Sequence, residues 1–488
     1  MNIKKFTILH SNDMHGDFLP ETETQKQEFI GGLALLSGYI NQVRAEEENV
    51  LYVIAGDMVQ GSLIDSEFKG ISTIEIMNYL SPDVVTLGNH EFDYGLPHLL
   101  FLEKMANFPI VNANLYIKEY YKRLMKPYII INKAGFDFLF TGIITEKVMD
   151  SIKQDSLIGS FVDLEEASEE VGKICNAYKN DDIDLTILLT HIGFDSDLEL
   201  AKKLNPAWGV DLIIGGHSHT VLDKPEVVND VIVVTAGTGT NQIGRLDIWV
   251  DDDTNSIVKH EWHLVEINSK TCKPDNKLTN FISNFKSQVD KKYNSVLCKF
   301  NKELTHPARE VETSLGDYIA DALAQMSESD VMLVGSGSIR SKKLGPVVTL
   351  GDLLACFPYD DSLTRFEITG KQLKTIFAHI MRNENRNEEG ECYQVNFRIQ
   401  ATHDNKNDQL DSIFLNGQTL EDNDLLKVCL QGFHINNCDS YLGISLAELK
   451  ASNQFKVVTT SAFELLKEYA RNNQNHEGTE VGKRLCYN

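Results

Sequence analysis

Basic residues are scarce in this chain: 46 Lys and Arg stand against 71 Asp and Glu, a formal charge of −25 at pH 7. That deficit excludes a nucleic-acid polymer or an anionic membrane as the main partner, because either would need a basic surface to neutralise phosphates. Long apolar runs are missing as well. The longest are strand-sized, such as Val50–Ala55, well short of the ~18 residues that suggest a membrane span. Phe6–Leu9 is too short for the apolar centre of a signal sequence. The expectation is a soluble, cytoplasmic protein, exported only if a leader has been removed. Eight cysteines are scattered without a CxxC pair, which leaves neither a disulfide framework nor a thiolate-rich zinc motif to be read. There is no internal repeat, and the one strongly hydrophilic stretch, 382–391, reads as a surface loop. Nothing chooses between a monomer and a homodimer.

What is present is an ordinary globular composition, 42% apolar and 24% charged over 488 residues, enough for two or three domains. Short β-branched runs alternate with helix-like segments up to about residue 265. They are Phe6–His10, Leu51–Ala55, Val84–Leu87, Ile110–Asn112, Phe138–Ile144, Leu185–Thr190, Leu212–Ile214 and Val231–Thr235. Several are apolar at consecutive positions, as strands buried on both faces are, so the first domain is read as a layered α/β fold. Over 277–299, Leu278, Phe281, Ile282, Phe285, Val289 and Tyr293 recur at helical spacing, which predicts a connecting helix. The expected division is 1–270, a linker helix within 271–300, and a second domain over 301–488.

Polar residues just after the apolar runs carry the chemistry. Asp13-Met-His15 follows the first run and Gly56-Asp57 the second. Gly88-Asn89-His90-Glu91 follows the third, Thr190-His191 a later one, and Gly215-Gly216-His217-Ser218-His219 the run after that. A single Asp-x-His is more often a turn or a hydrogen-bonded histidine. Five in succession, all where an α/β sheet opens its crevice and three of them beside glycine, point to a metal site. Mixed histidine, carboxylate and amide ligands suit Mn²⁺, Zn²⁺, Fe or Co rather than a structural zinc. A bridging aspartate could hold two such ions and activate the water between them against phosphorus, without a serine or cysteine nucleophile.

These motifs, in this order, resemble those of the calcineurin-like metallophosphoesterases. Gly88-Asn-His-Glu-Phe-Asp-Tyr-Gly95, Asn112-Ala-Asn114 and the 236–244 turn leading into Arg245-Leu-Asp247 resemble more narrowly the 5′-nucleotidase family. The resemblance implies a four-layer metallophosphoesterase sandwich, two mixed β-sheets flanked by helices, followed by a smaller α+β substrate-binding domain. It implies two divalent metal ions, one among Asp13, His15, Asp57 and His219 and the other among Asp57, Asn89, His191 and His217, with Asp57 shared. Some exported members carry an amide where His219 stands. His90 would donate to a phosphoryl oxygen and Asp93 would orient it.

In the second domain Arg309, upstream of Glu312-Thr-Ser-Leu-Gly-Asp317, and Arg340 of Gly337-Ser-Ile-Arg match the family's substrate-gripping arginines. A planar guanidinium forms two parallel bonds to a phosphate. Tyr359 and Phe433 would sandwich a nucleobase, and Asp439 would accept from ribose hydroxyls. Two departures bear on substrate choice: Asn436-Asn-Cys-Asp-Ser-Tyr441 replaces a glycine-rich turn, and Thr305-His306 stand near where some members carry a third arginine. The implied activity is release of phosphate from nucleoside 5′-monophosphates by a metal-bridging hydroxide. A 2′,3′-cyclic nucleotide 2′-phosphodiesterase, a UDP-sugar hydrolase or, less in keeping with the complete ligand set, a non-catalytic nucleotide-binding protein are the alternatives.

Overall fold

The computed structural model describes residues 3–23, 28–117, 122–144, 158–159, 163–178, 181–386, 392–452, 454–478 and 481–488. Of the expected surface loop at 382–391, residues 387–391 lie outside the described residues. The chain divides into two compact units, Met1–Val289 and Asp290–Asn488.

In the first unit each uninterrupted apolar run becomes a strand with little or no exposed face. Ile3–Ser11, Val50–Ala55, Val84–Thr86 and Ile110–Val111 pair in parallel. Phe136–Ile144, Leu185–His191, Val210–Gly215 and Val231–Val234 form a second parallel set. Antiparallel strands complete two six-stranded sheets: Gln242–Asp251 and Ser256–Glu266 extend the first, Tyr128–Lys133 and Glu226–Val228 flank the second. Both sheets are therefore mixed. Their facing surfaces share one core in which Phe6 meets Phe136 and Phe138 edge-on at 5.1 and 4.9 Å. Each such burial stabilises by roughly 1.5–3 kcal/mol. The other face of the second sheet packs on the helices Leu164–Ala177 and Phe194–Lys203.

His10, on the first strand, lies wholly inside this fold. Its ring stacks on Trp262 at 5.3 Å, and neither ring nitrogen has a hydrogen-bond partner among the described residues. Burial pushes its pKa down to about 3. The unfolded chain takes up this proton first, near pH 6.5, so the neutral ring's contribution is whole above that value and lost as pH falls towards 3. By pH 4.5 the loss should reach about 2–3 kcal/mol. His10→Leu should flatten that part of the pH dependence of urea unfolding, and an unchanged profile would contradict this account.

The helix expected across 277–299 spans Asn276–Tyr293. The remainder differs from expectation: Ser295 turns its hydroxyl back on the Lys292 carbonyl, and Val296–Lys299 is a strand pairing with Val347–Thr349. Leu297 and Cys298 are buried in the second unit's core, a packing demand that outweighs the helical spacing. That unit is built on a five-stranded sheet with Val331–Gly335 and Leu425–Gln431 at its centre, and on a smaller four-stranded sheet. The helix Ser314–Met326 packs against the five-stranded sheet, its start capped by Thr313, which accepts from Gly316 N.

Candidate metal centre

The parallel strands of the two sheets deliver their polar residues to one place. Asp13 N donates to Gly56 O, His217 N donates to both Asp13 oxygens at 3.1 and 2.9 Å, and His191 Nδ1 reaches Ala55 O at 2.8 Å. Asp13, Asp57 and His191 are almost fully buried, whereas His15, His90 and His219 are partly open to solvent.

Around Asp13 stand His219 Nε2 at 3.5 Å and His15 Nε2 at 4.0 Å, and the two imidazole nitrogens face each other at 3.2 Å. Around Asp57 stand His191 Nε2 at 3.1 Å from Oδ2 and the His90 backbone N–H, which donates to Oδ1 at 2.9 Å. His217 Nδ1 lies 3.1 Å from Asn89 Oδ1. Donor atoms converge in three overlapping groups: Asp13 with His15 and His219; Asp13 with Asp57 and His191; and Asp57 with His15 and His90. Five of the seven residues expected to bind metal supply these groups, with His217 joined to them by its N–H on Asp13 and Asn89 by its contact with His217, and His90 stands close enough to be counted a ligand too. At the rim His90 Nδ1 and Asp93 Oδ2 are 2.8 Å apart, and that hydrogen bond raises the His90 pKa.

The backbone is held in an unusual state. Asp13, His15, Asp57, His217 and His219 all have positive φ, between 49° and 82°. A non-glycine residue there costs roughly 1–2 kcal/mol, and such strain persists only where the surroundings over-determine it.

Glu91 provides part of that constraint. Buried behind the site, its carboxylate accepts from Gly88 N at 2.6 Å, Met58 N at 2.7 Å and Asp57 N at 3.0 Å, clamping the two turns together. Burial pushes its pKa up to about 7, with the Asp57 charge adding to the effect. Glu91 belongs to a motif read from the sequence, but its bonds to a turn over thirty residues away carry no sequence signal. Gly88 has the same task sterically: a Cβ there would lie 2.2 Å from Asp57 Oδ1. Gly88→Ala is therefore expected to weaken Mn²⁺ binding at least about tenfold, as titration calorimetry would show; parental affinity would mean the turn can yield.

Residues 6–221 match the family model for calcineurin-like phosphoesterases, and residues 296–444 that for the 5′-nucleotidase C-terminal domain. The chain belongs to the 5′-nucleotidase family. It is accordingly a phosphoric ester hydrolase, and its family implies divalent metal cofactors. The 5′-nucleotidase of Vibrio cholerae serotype O1 is 29% identical over 76% of this chain and 74% of its own length. The trifunctional nucleotide phosphoesterase protein YfkN of Bacillus subtilis is 30% identical over 77% of this chain, which spans only 28% of that protein. The crystal structure of a 5′-nucleotidase precursor from Thermus thermophilus shares the fold, with a TM-score of 0.62, 22% identity and 99% of both chains covered. Among the described residues no helix is long and apolar enough to cross a membrane.

The residues fit the metal that the family implies. His191 commits Nδ1–H to the Ala55 carbonyl, leaving Nε2 buried and turned to the carboxylates. Burial resists protonation there, but Asp57 and then Asp13 overcome it and push the pKa up to about 9, so the pocket calls for a cation. A further trio on the sheet surface, Asp247, Glu261 and His263, is different. Arg245 and Lys5 already neutralise Asp247, at 3.1 and 3.6 Å.

In the second unit Arg340 lies 6.0 Å from the centre of the exposed Tyr359 ring. Asp361 joins the loops of the two aromatic residues, its Oδ2 accepting from Phe433 N at 2.7 Å and its N–H donating to Tyr359 O. Phe433 is half-exposed, and Tyr441 stands 5.5 Å from its ring. Asp439 is exposed on the short helix Cys438–Tyr441, and Arg309 is half-buried in the loop before Thr313.

Proposed function

We propose that the chain hydrolyses nucleoside 5′-monophosphates to nucleoside and phosphate, with Asp13, His15, Asp57, Asn89, His191, His217 and His219 holding two divalent ions and Asp57 shared between them. The observation that carries this reading is the pair of buried carboxylates, Asp13 and Asp57, ringed by imidazole nitrogens with no other cation beside them among the described residues. When bound, the ions would supply Lewis acidity, making a water acidic and neutralising charge on the phosphoryl oxygens. The protein's own part is positional. Asp57 is fixed by the His90 and His191 contacts, and Asp13 by the His217 N–H. His90, held by Asp93, donates to a phosphoryl oxygen as charge develops there. The acidic chain thereby acquires a locally cationic site for a small anion.

The second unit recognises the nucleoside. Arg309 and Arg340 grip the anionic end, Tyr359 and Phe433 hold the base between their faces, and Asp439 accepts from the ribose. The support is the exposure of two aromatic rings on loops pinned to each other by Asp361. Replacing Tyr359 and Phe433 together by alanine should raise KM for AMP by at least about tenfold, since base stacking is worth roughly 1–3 kcal/mol. KM for bis-(p-nitrophenyl) phosphate should stay put. An unchanged KM for AMP would sink the clamp. Steady-state assays across AMP, 2′,3′-cyclic AMP and UDP-glucose with Mn²⁺, Zn²⁺ or Co²⁺ would separate the three ester classes; the proposal requires AMP to have the highest kcat/KM.

A further inference from the structure

The two arginines assigned to substrate lie on separate stretches of the second unit, Arg309 between His306 and Thr313, and Arg340 just after the turn Ser336–Ser338. One side chain reaches both stretches. Gln394, on the strand Tyr393–Val395 and 1% exposed, donates through Nε2 to Val311 O and to Ser336 Oγ, each at 2.8 Å. Its Oε1 accepts from Thr313 N at 3.0 Å. Both amide hydrogens and the oxygen are thus engaged.

The surroundings hold this amide in place. Gln394 pairs with Val334 across the sheet, one strand residue from the start of the Arg340 turn. On the other side a Cβ on Gly316 would lie 2.2 Å from Oε1, so the bare helix start is what leaves room for it. Beyond the hub, each stretch has its own ties: His306 Nδ1 lies 2.8 Å from Thr313 Oγ1, and Arg340 N donates to Cys356 O at 2.8 Å.

We propose that Gln394 is a positioning residue for substrate binding, setting the spacing between Arg309 and Arg340 by holding the main chain of one stretch and the turn of the other on a single amide. The inference rests on the reading of those arginines given above. Two guanidiniums close on one anion at least cost when their separation is fixed beforehand; otherwise each nucleotide bound must order the loops as well. An amide suits the position where other side chains of its size do not. A carboxylate could not donate to Val311 O, and a thioether would leave Thr313 N and Ser336 Oγ buried without their partner.

The test uses the full-length, metal-loaded protein and AMP. Gln394→Met should raise KM by about tenfold or more while kcat stays within about twofold, since loosened binding residues act on affinity and leave the reacting centre alone. Ser336→Ala, which removes one hydroxyl and is the safer variant for folding, should move KM the same way by less. Neither change should add to the KM of a chain already carrying Arg309→Ala and Arg340→Ala. A purely structural role would instead lower kcat through a smaller active fraction, or raise KM by the same factor with and without the arginines; either result overturns the proposal. So does a parental KM in Ser336→Ala and Gln394→Met when the arginine variants do bind AMP more weakly. If the arginine variants bind AMP like the parent, or the parent does not turn it over, the substrate reading itself fails and the inference falls with it.

Discussion

Asp57→Asn is expected to cut the turnover of AMP by roughly 10³-fold or more, because about 4 kcal/mol of charge stabilisation is at stake when a shared metal ligand is lost. The asparagine keeps the size of the side chain and can still accept from His90 N, but it has no charge with which to hold two ions. In the present structure Asp57 is the carboxylate nearest to His191, whose charge holds its pKa low although burial works the other way. Removing it should therefore lower the bound metal as well as the rate, and Mn²⁺ content measured on the purified variant separates this from misfolding. A variant with two full equivalents of metal and parental kcat would remove Asp57 from the centre.

His90→Ala should reduce kcat by about 10²–10³-fold, the loss seen when one donor to a developing oxyanion is deleted, with metal content unchanged. The structure makes the second clause informative. His90 shares a potential ligand group with His15 and Asp57, so loss of metal in His90→Ala would reassign the imidazole from donor to ligand. Asp93→Asn should give a smaller loss than His90→Ala, since it weakens only the hydrogen bond that orients the ring. Parental kcat in His90→Ala would exclude it from the chemistry.

Much of the first unit was legible because its central strands are buried on both faces. Val50–Ala55 and Leu185–His191 have no exposed residue, so their apolar runs stand out in the chain. The edge strands were harder: Ser256–Glu266 is mostly open to solvent and carries His, Lys and Glu, which blurs any strand pattern. The expected ligands were readable because each follows a buried run directly. What holds them was not. Glu91 holds the Asp57 turn through backbone N–H groups more than thirty residues away, and a carboxylate bonded to a backbone N–H looks in the sequence like any solvated side chain. The short strand Val296–Lys299 begins just beyond Tyr293, the last residue at helical spacing and the last of the helix, and four residues are too few to show a strand pattern.

The positive φ angles of five candidate ligands bear on how this protein would respond to selection for heat resistance. Asparagine and glycine occupy that region of backbone space more comfortably than histidine or aspartate. At His219, exchange for asparagine would relax the backbone and reduce the crowding of rings around Asp13. A screen that scored only survival on heating would be drawn to these positions, since strain released there raises the melting temperature of the metal-free chain. It would collect robust, idle proteins, and any breeding of this scaffold for endurance needs turnover in the same screen.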